Sequence, residues 1–359
     1  MRVILAGGGT GGHLFPAVAL AERLLAENEK AEALFVGTTR GIEAGVIPKL
    51  GFKLEFVDVK GFMGKGIIAK LGVIIMLGRS VRQGLAVLDR FKPDLVIGVG
   101  GYASAPMVIA AKLRRLPVVL HEQNAIPGLT NRLLGRWADR VCVSFEETLS
   151  AFANAELTGN PLRSGLDDCP EIENGRPCLL IFGGSRGARA INERMTAAIE
   201  LLHEWQGQID IIHQTGEEDV AWVSDRYRQA GWKDARVTSF IDDMASAYRQ
   251  AHLVVCRAGA TTVAELTACG RPAILIPFPH AAGDHQSANA RALAVKGAAL
   301  MLAEEEADAD KLAALIANLI TRPDELKSMA RIAKSLGRRG VAEKIIATCH
   351  QVMDEKRAA

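Results

Sequence analysis

Four apolar residues, Val3 to Ala6, run into Gly7-Gly8-Gly9-Thr10-Gly11-Gly12-His13 at the start of a 359-residue sequence. Glycine reaches left-handed backbone without strain and lets amides approach a ligand closely. A helix starting just after such a turn aims free N–H groups and its positive dipole end at the same spot, so phosphate oxygens or an anionic transition state fit there. His13 stands at the helix start, with Pro16 suited to the first helical turn. Histidine titrates near neutral pH, so His13 is a candidate general base; equally, it could only cap the turn.

The same grammar recurs. Cys178 to Phe182 leads into Gly183-Gly184-Ser185-Arg186-Gly187, Leu95 to Ile97 into Gly98 to Pro106, and Cys256-Arg257-Ala258-Gly259 into Ala260-Thr261-Thr262-Val263-Ala264-Glu265. The spacing Thr262-x-x-Glu265 fits a capping box, although a carboxylate there could also accept two sugar hydroxyls. Polar tips follow two more apolar runs: His121-Glu122-Gln123-Asn124 after Pro117 to Leu120, and the segment holding His280, His285, Gln286 and Asn289 after Pro277. Gly7, Gly9 and Gly12 also fit the dinucleotide fingerprint, but that fold expects an acid after the second strand, where Gly37-Thr38-Thr39 stands.

The elements that must position these groups are short apolar runs alternating with amphipathic stretches, first at 34–36, 54–57, 95–97, 118–120 and 140–143, then near 179–182, 209–213, 236–239, 253–256 and 273–277. Such a series predicts parallel, doubly wound sheets, with ligands beyond the carboxyl ends of the strands. The proline-bearing, aperiodic segment from Gly159 to Pro177 reads as a linker, and residues from about Asp308 onward as a helical tail. The expected division is 1–160, 161–340 and a C-terminal helix at 341–359 packing back toward the N-terminal domain.

Composition frames this reading. At 49% hydrophobic and 23% charged the chain is ordinary for a globular α/β protein, and a net charge of +2 gives no basic excess of the kind nucleic-acid binding needs. Six scattered cysteines without a C-x-x-C pair argue against a disulfide framework and a zinc site, and point to a reducing compartment. Asp242-Asp243 and Asp308-x-Asp310 read as helix starts rather than metal ligands, so no metal and no cofactor are expected. No run is apolar enough to span a bilayer. From Val59 to Leu88, however, five basic residues (Lys60, Lys65, Lys70, Arg79, Arg82) and no acids are interleaved with Phe62, Met63, Ile67 and Ile68. That pattern suits either a helix with a solvated basic edge or a surface dipping into anionic lipid.

The ordered series GGGTGGHLFPA (7–17), GVGGYASAP (98–106), HEQNAIPGLTN (121–131), GNPLR (159–163), GGSRGA (183–188), FIDDM (240–244), CRAGATTVAEL (256–266) and DHQSANA (284–290) resembles the MurG family of bacterial transferases. These add N-acetylglucosamine to undecaprenyl-pyrophosphoryl-muramyl-pentapeptide (lipid I), giving lipid II for peptidoglycan. The resemblance implies the GT-B fold, two Rossmann-like doubly wound domains facing across a cleft. It also implies UDP-N-acetylglucosamine contacts at Thr10, Gly11, Gly12, Asn124, Arg163, Ser185, Ile241, the run Ala260, Thr261, Thr262, Val263, Ala264 and Glu265, and Gln286. Within that set Glu265 would take the ribose, the Ile241 backbone the uracil and Ser185 the diphosphate. His13 would deprotonate the muramyl 4-hydroxyl with Glu122 as helper. Implied partners are the two substrates, an anionic membrane surface and cell-wall synthesis complexes, at the cytoplasmic face of the inner membrane. A lipid glycosyltransferase of the diacylglycerol type, a UDP-N-acetylglucosamine 2-epimerase and a non-enzymatic sugar-nucleotide sensor are the competing readings.

Overall fold

The computed structural model describes residues 1–59, 67–163, 165–166, 169–172 and 175–358, without the side chains of 67–75. The chain forms two compact units, Met1–Arg163 with Gly340–Ala359, and Ser164–Arg339.

In unit 1, β1 (Arg2–Ala6), α1 (Gly11–Glu27), β2 (Glu32–Gly37), α2 (Glu43–Lys49), β3 (Lys53–Phe56), α3 (Ile67–Phe91), β4 (Leu95–Gly98), α4 (Ser104–Leu113), β5 (Val118–Glu122), α5 (Leu129–Leu134), β6 (Arg140–Val143) and β7 (Ala155–Leu157) follow in order. Unit 2 comprises β8 (Cys178–Phe182), α6 (Arg189–Leu201), β9 (Asp210–Gln214), α7 (Val220–Gln229), β10 (Arg236–Thr238), α8 (Met244–Gln250), β11 (Leu253–Cys256), α9 (Ala260–Cys269), β12 (Ala273–Leu275), α10 (His285–Ala294), β13 (Ala299–Met301), α11 (Ala309–Ile320) and α12 (Pro323–Leu336). The last helix, α13 (Val341–Ala358), belongs to unit 1.

The sheets run β3-β2-β1-β4-β5-β6-β7 and β10-β9-β8-β11-β12-β13, with every pair parallel. In each sheet the order in which strands are added reverses once, between β1 and β4 and between β8 and β11. Parallel strands covered on both faces need apolar residues at consecutive positions. In β1, Val3 and Leu5 accordingly enter one core with α1, while Ile4 and Ala6 enter another with α4. The C-terminal helix closes the first of these cores with Val341, Ile345, Ile346, Cys349, Val352 and Met353. Full burial of such side chains contributes at most about 1.5–3 kcal/mol each for the larger ones, so α13 is integral to unit 1.

Several local expectations shift. Pro16 lies in the second turn of α1, not the first, because the helix begins at Gly11. The strand after Pro117 continues through Glu122: His121 pairs with Cys142 and Glu122 with Val143, which draws two polar residues into the sheet. β7 and β13, three residues each, are too short to stand out as apolar runs in the sequence. Asp243 and Asp308 do start helices, accepting from the Ser246 and Lys311 amides at 2.9 and 2.8 Å. Cys169 and Cys269 form a disulfide with Cα atoms 4.8 Å apart, against the reading of six unpaired cysteines. A separation of 100 residues hides that pair from any spacing rule. Lys60, Lys65, Phe62 and Met63 lie outside the described residues, as do the side chains of Lys70, Ile67 and Ile68. Farther along, Arg79 pairs with Asp58 at 3.4 Å.

Candidate functional site

Ligands of open α/β sheets gather where the strand order reverses, beyond the carboxyl ends of the strands. In unit 1 that point carries the Gly7–Gly12 turn after β1 and the Gly98–Gly101 turn after β4. The two turns are packed together: a Cβ on Gly7 would lie 2.3 Å from the Gly100 carbonyl oxygen, and one on Gly101 2.5 Å from that of Gly8. Both positions have positive φ, so glycine is required there on two grounds.

The first turn is not an open anion cradle. The Gly9 amide donates to Glu43 Oε2 at 2.8 Å, and Thr38 donates to Oε1 through its amide at 2.8 Å and its hydroxyl at 3.1 Å. Glu43 is 1% exposed, and Cβ atoms on Gly8, Gly37 or Gly41 would lie within 2.6, 2.4 and 2.0 Å of its side chain. The protein's own carboxylate thus occupies part of the space assigned to phosphate. Thr10 is the N-cap of α1 without a side-chain cap bond. First-turn amides of α1 remain the part of the turn available to an anion.

His13, half-buried, places Nδ1 3.1 Å from Gln123 Oε1, which joins the β1–α1 turn to the tip of β5. Both carboxylate oxygens of Glu122 are engaged by the loop that follows β5. Its Oε1 accepts from the amide and side chain of Asn124 at 3.0 and 3.3 Å, and its Oε2 from the Gly128 amide at 3.0 Å and Asn131 Nδ2 at 2.9 Å. At 1% exposure it is a staple that fixes the loop presenting Asn124. Arg163 lies over the Phe15 ring at 4.9 Å.

In unit 2 the reversal point carries the Gly183–Gly187 turn after β8 and Arg257 to Gly259 after β11. Ser185 and Arg186 are exposed on the first, whose Gly184 carbonyl accepts from Gln214 Nε2 at 2.8 Å. The Thr262–Glu265 capping box does not form. Gly259 is the N-cap and accepts from the Val263 amide at 2.9 Å, so α9 starts earlier and Glu265 falls in its second turn. No side chain caps α9 and its first turn holds no acid, leaving its amides for an anion. Thr261 Oγ1, in that turn, is buried without a hydrogen-bond partner. Glu265, 6% exposed, accepts from the Tyr248 hydroxyl at 3.0 Å. Gln286 on α10 accepts from the Phe278 amide at 3.0 Å, and Ile241 is buried after β10. All these positions follow strands of one parallel sheet, which brings them to the same edge. Among the described residues no group of three or more His, Cys, Asp or Glu is arranged to hold a metal ion.

A family model of the glycosyltransferase family 28 N-terminal domain matches residues 3–143, and the corresponding C-terminal domain model matches 178–345. The chain belongs to glycosyltransferase family 28. A Syntrophotalea carbinolica protein is 57% identical over 98% of this chain and 99% of its own length. A Myxococcus xanthus protein is 48% identical over 98% of this chain and 93% of its own. Both are named UDP-N-acetylglucosamine--N-acetylmuramyl-(pentapeptide) pyrophosphoryl-undecaprenol N-acetylglucosamine transferase. The crystal structure of Acinetobacter baumannii MurG superposes with a TM-score of 0.80 at 30% identity, covering 98% of this chain and 99% of that one. The resemblance to the MurG family holds, and the fold is GT-B.

Sequence reasoning reached the turns of this family 28 protein and placed Gln123 in a polar tip without a role of its own, but missed Glu43 and Tyr248, two side chains that organise the turns. The glycines at 8, 37 and 41 were the available signal for Glu43, since three separated glycines converging on one place leave room for a side chain from elsewhere.

Proposed function

We propose that this protein is an inverting glycosyltransferase that moves N-acetylglucosamine from UDP-N-acetylglucosamine to the 4-hydroxyl of the muramyl sugar of lipid I, producing lipid II. Full-length identity of 57% to a transferase of that name carries this reading. Unit 2 holds the donor: Glu265 accepts the ribose hydroxyls, the Ile241 backbone meets the uracil, and Ser185 with the uncapped first turn of α9 takes the diphosphate. Gln286, on the same sheet edge of unit 2, completes these donor contacts. Unit 1 holds the acceptor, and His13 removes the proton from its hydroxyl.

As that proton leaves, the oxygen bonds to the anomeric carbon from the face opposite UDP, and the bond to the β-phosphate oxygen breaks with its electron pair staying on UDP. Preorganised amides stabilise the departing charge without reorganising, which is where such sites gain most of their rate. Glu122 contributes by holding Asn124 rather than by moving a proton.

Membrane association is part of the proposal. No helix among the described residues is long and apolar enough to cross a bilayer. Ile126, Leu129, Leu133 and Trp137 are 40%, 64%, 51% and 50% exposed, with Arg132 and Arg136 exposed beside them. Apolar groups interleaved with cations suit a peripheral contact with the anionic cytoplasmic leaflet.

Incubation with UDP-N-acetylglucosamine and a lipid I analogue tests the function: lipid II formation is expected. Release of N-acetylmannosamine without acceptor would indicate an epimerase, and tight UDP binding without turnover a sensor. His13→Ala should lower turnover by roughly 10²–10⁴-fold, the usual worth of a general base, with donor binding retained.

A further inference from the structure

The hydrogen bonds behind His13 form a chain in which every direction is forced. It begins at the Gly159 carbonyl oxygen, which can only accept and lies 3.0 Å from His121 Nε2. His121 is 0% exposed, and burial lowers its pKa to about 4, so at neutral pH the ring carries one N–H. That proton is on Nε2, which leaves Nδ1 an acceptor. Gln123 Nε2 lies 3.1 Å from His121 Nδ1 and 3.0 Å from the Val99 carbonyl oxygen. Two acceptors thus face the two amide protons of Gln123, and flipping the amide would set its oxygen against both. Gln123 Oε1 is left pointing at His13 Nδ1, 3.1 Å away, and an oxygen acceptor there requires Nδ1 to donate.

We infer that Gln123 is a positioning residue that keeps the proton of His13 on Nδ1 and so leaves the basic lone pair on Nε2. The inference rests on the reading of His13 as the base and adds the atom that acts and the residue that selects it. When Nε2 takes the acceptor's hydroxyl proton, the ring becomes an imidazolium with two N–H groups. Nδ1–H then donates to the same amide oxygen, so no heavy atom of the relay has to move. Gln123 is 1% exposed, and its two N–H bonds, to His121 and Val99, are buried away from water. Glycine at 100 leaves the ring its place: a Cβ there would lie 3.0 Å from His13 Cε1.

Selective ¹⁵N labelling of histidine in the full-length protein, with His13→Gln identifying the resonances, reads the tautomer without reference to activity. Wild type should show Nδ1 protonated and Nε2 unprotonated at neutral pH. Gln123→Met, of similar volume but with no amide, should shift His13 toward the Nε2–H form and lower kcat by about 10- to 10²-fold, within the worth of a general base. KM for UDP-N-acetylglucosamine should stay within about twofold, because the change touches proton placement and not the donor. Protonated Nε2 in wild type, or Gln123→Met with kcat within about twofold of wild type, overturns the inference. If Gln123→Met does not fold, the wild-type spectrum alone decides. The expected tautomer together with undiminished turnover of His13→Ala would instead remove the base assignment while leaving the relay intact.

Discussion

Glu43 offers a measurable test of how the β1–α1 turn is held. Its carboxylate accepts three hydrogen bonds, from the Gly9 amide and from the amide and hydroxyl of Thr38. In Glu43→Gln the best orientation keeps both Thr38 donors on the remaining oxygen and sets the new NH₂ against the Gly9 N–H. One hydrogen bond to a charged group is lost, worth about 1.5–3 kcal/mol. Glu43→Ala strands all the donors and should cost about 3–5 kcal/mol, within the usual total stability of a domain. Gly41→Ala should act through the same contact, since its Cβ would lie 2.0 Å from Glu43 Oε2 and force the carboxylate out. In the Glu43→Ala background there is nothing to displace, so the two changes should couple by roughly 2 kcal/mol. Urea melts followed by hydrogen exchange of peptides from β1 and α1 isolate unit 1 from unit 2. A coupling below about 0.5 kcal/mol, the additivity limit for independent sites, would refute the claim that Glu43 holds the turn.

Glu265→Ala should weaken UDP binding by about 10- to 10²-fold, the equivalent of losing charge-assisted hydrogen bonds; titration calorimetry giving an unchanged Kd would leave Glu265 as a partner of Tyr248 alone. Burial lowers His121 to about 4 and His213 to about 3, below the ordinary value of 6.5, so their contribution to stability is complete above about pH 6.5. As pH falls from there the unfolded chain binds protons first, and each histidine should remove up to about 1.4 kcal/mol per pH unit; a urea midpoint flat from about pH 6.5 to 5 would contradict this. Alkylation of the denatured, unreduced protein should modify the four free cysteines, Cys142, Cys178, Cys256 and Cys349. Labelling of Cys169 and Cys269 as well would show that the disulfide does not form.

The parts legible in the sequence were those governed by neighbours. Val3 to Ala6 before a glycine run, and Leu253 to Cys256 before Arg257-Ala258-Gly259, announce strand and turn within a few residues, and strands alternating with helices imply parallel sheets. Where local signals competed, they misled. Thr262 and Glu265 have capping-box spacing, yet Gly259 accepts the earlier amide and begins α9 first. His121 and Glu122 look like loop residues, yet pairing with β6 extends the strand through both. Ile126, Leu129, Leu133 and Trp137 are not consecutive in the sequence, and only the fold leaves them exposed together on one segment.

The amino-acid order alone therefore determined the fold class, the number of glycine turns and the candidacy of His13, because propensity and periodicity act over a few neighbouring residues. Only the tertiary structure decided what each turn can do. It brought Glu43 to Gly9 across 34 residues and Gln123 to His13 across 110, and it paired Cys169 with Cys269 across 100. Such contacts follow from which strands lie side by side, and the direction of each hydrogen bond from the neighbours left to accept it. Neither is written in any short stretch of the chain.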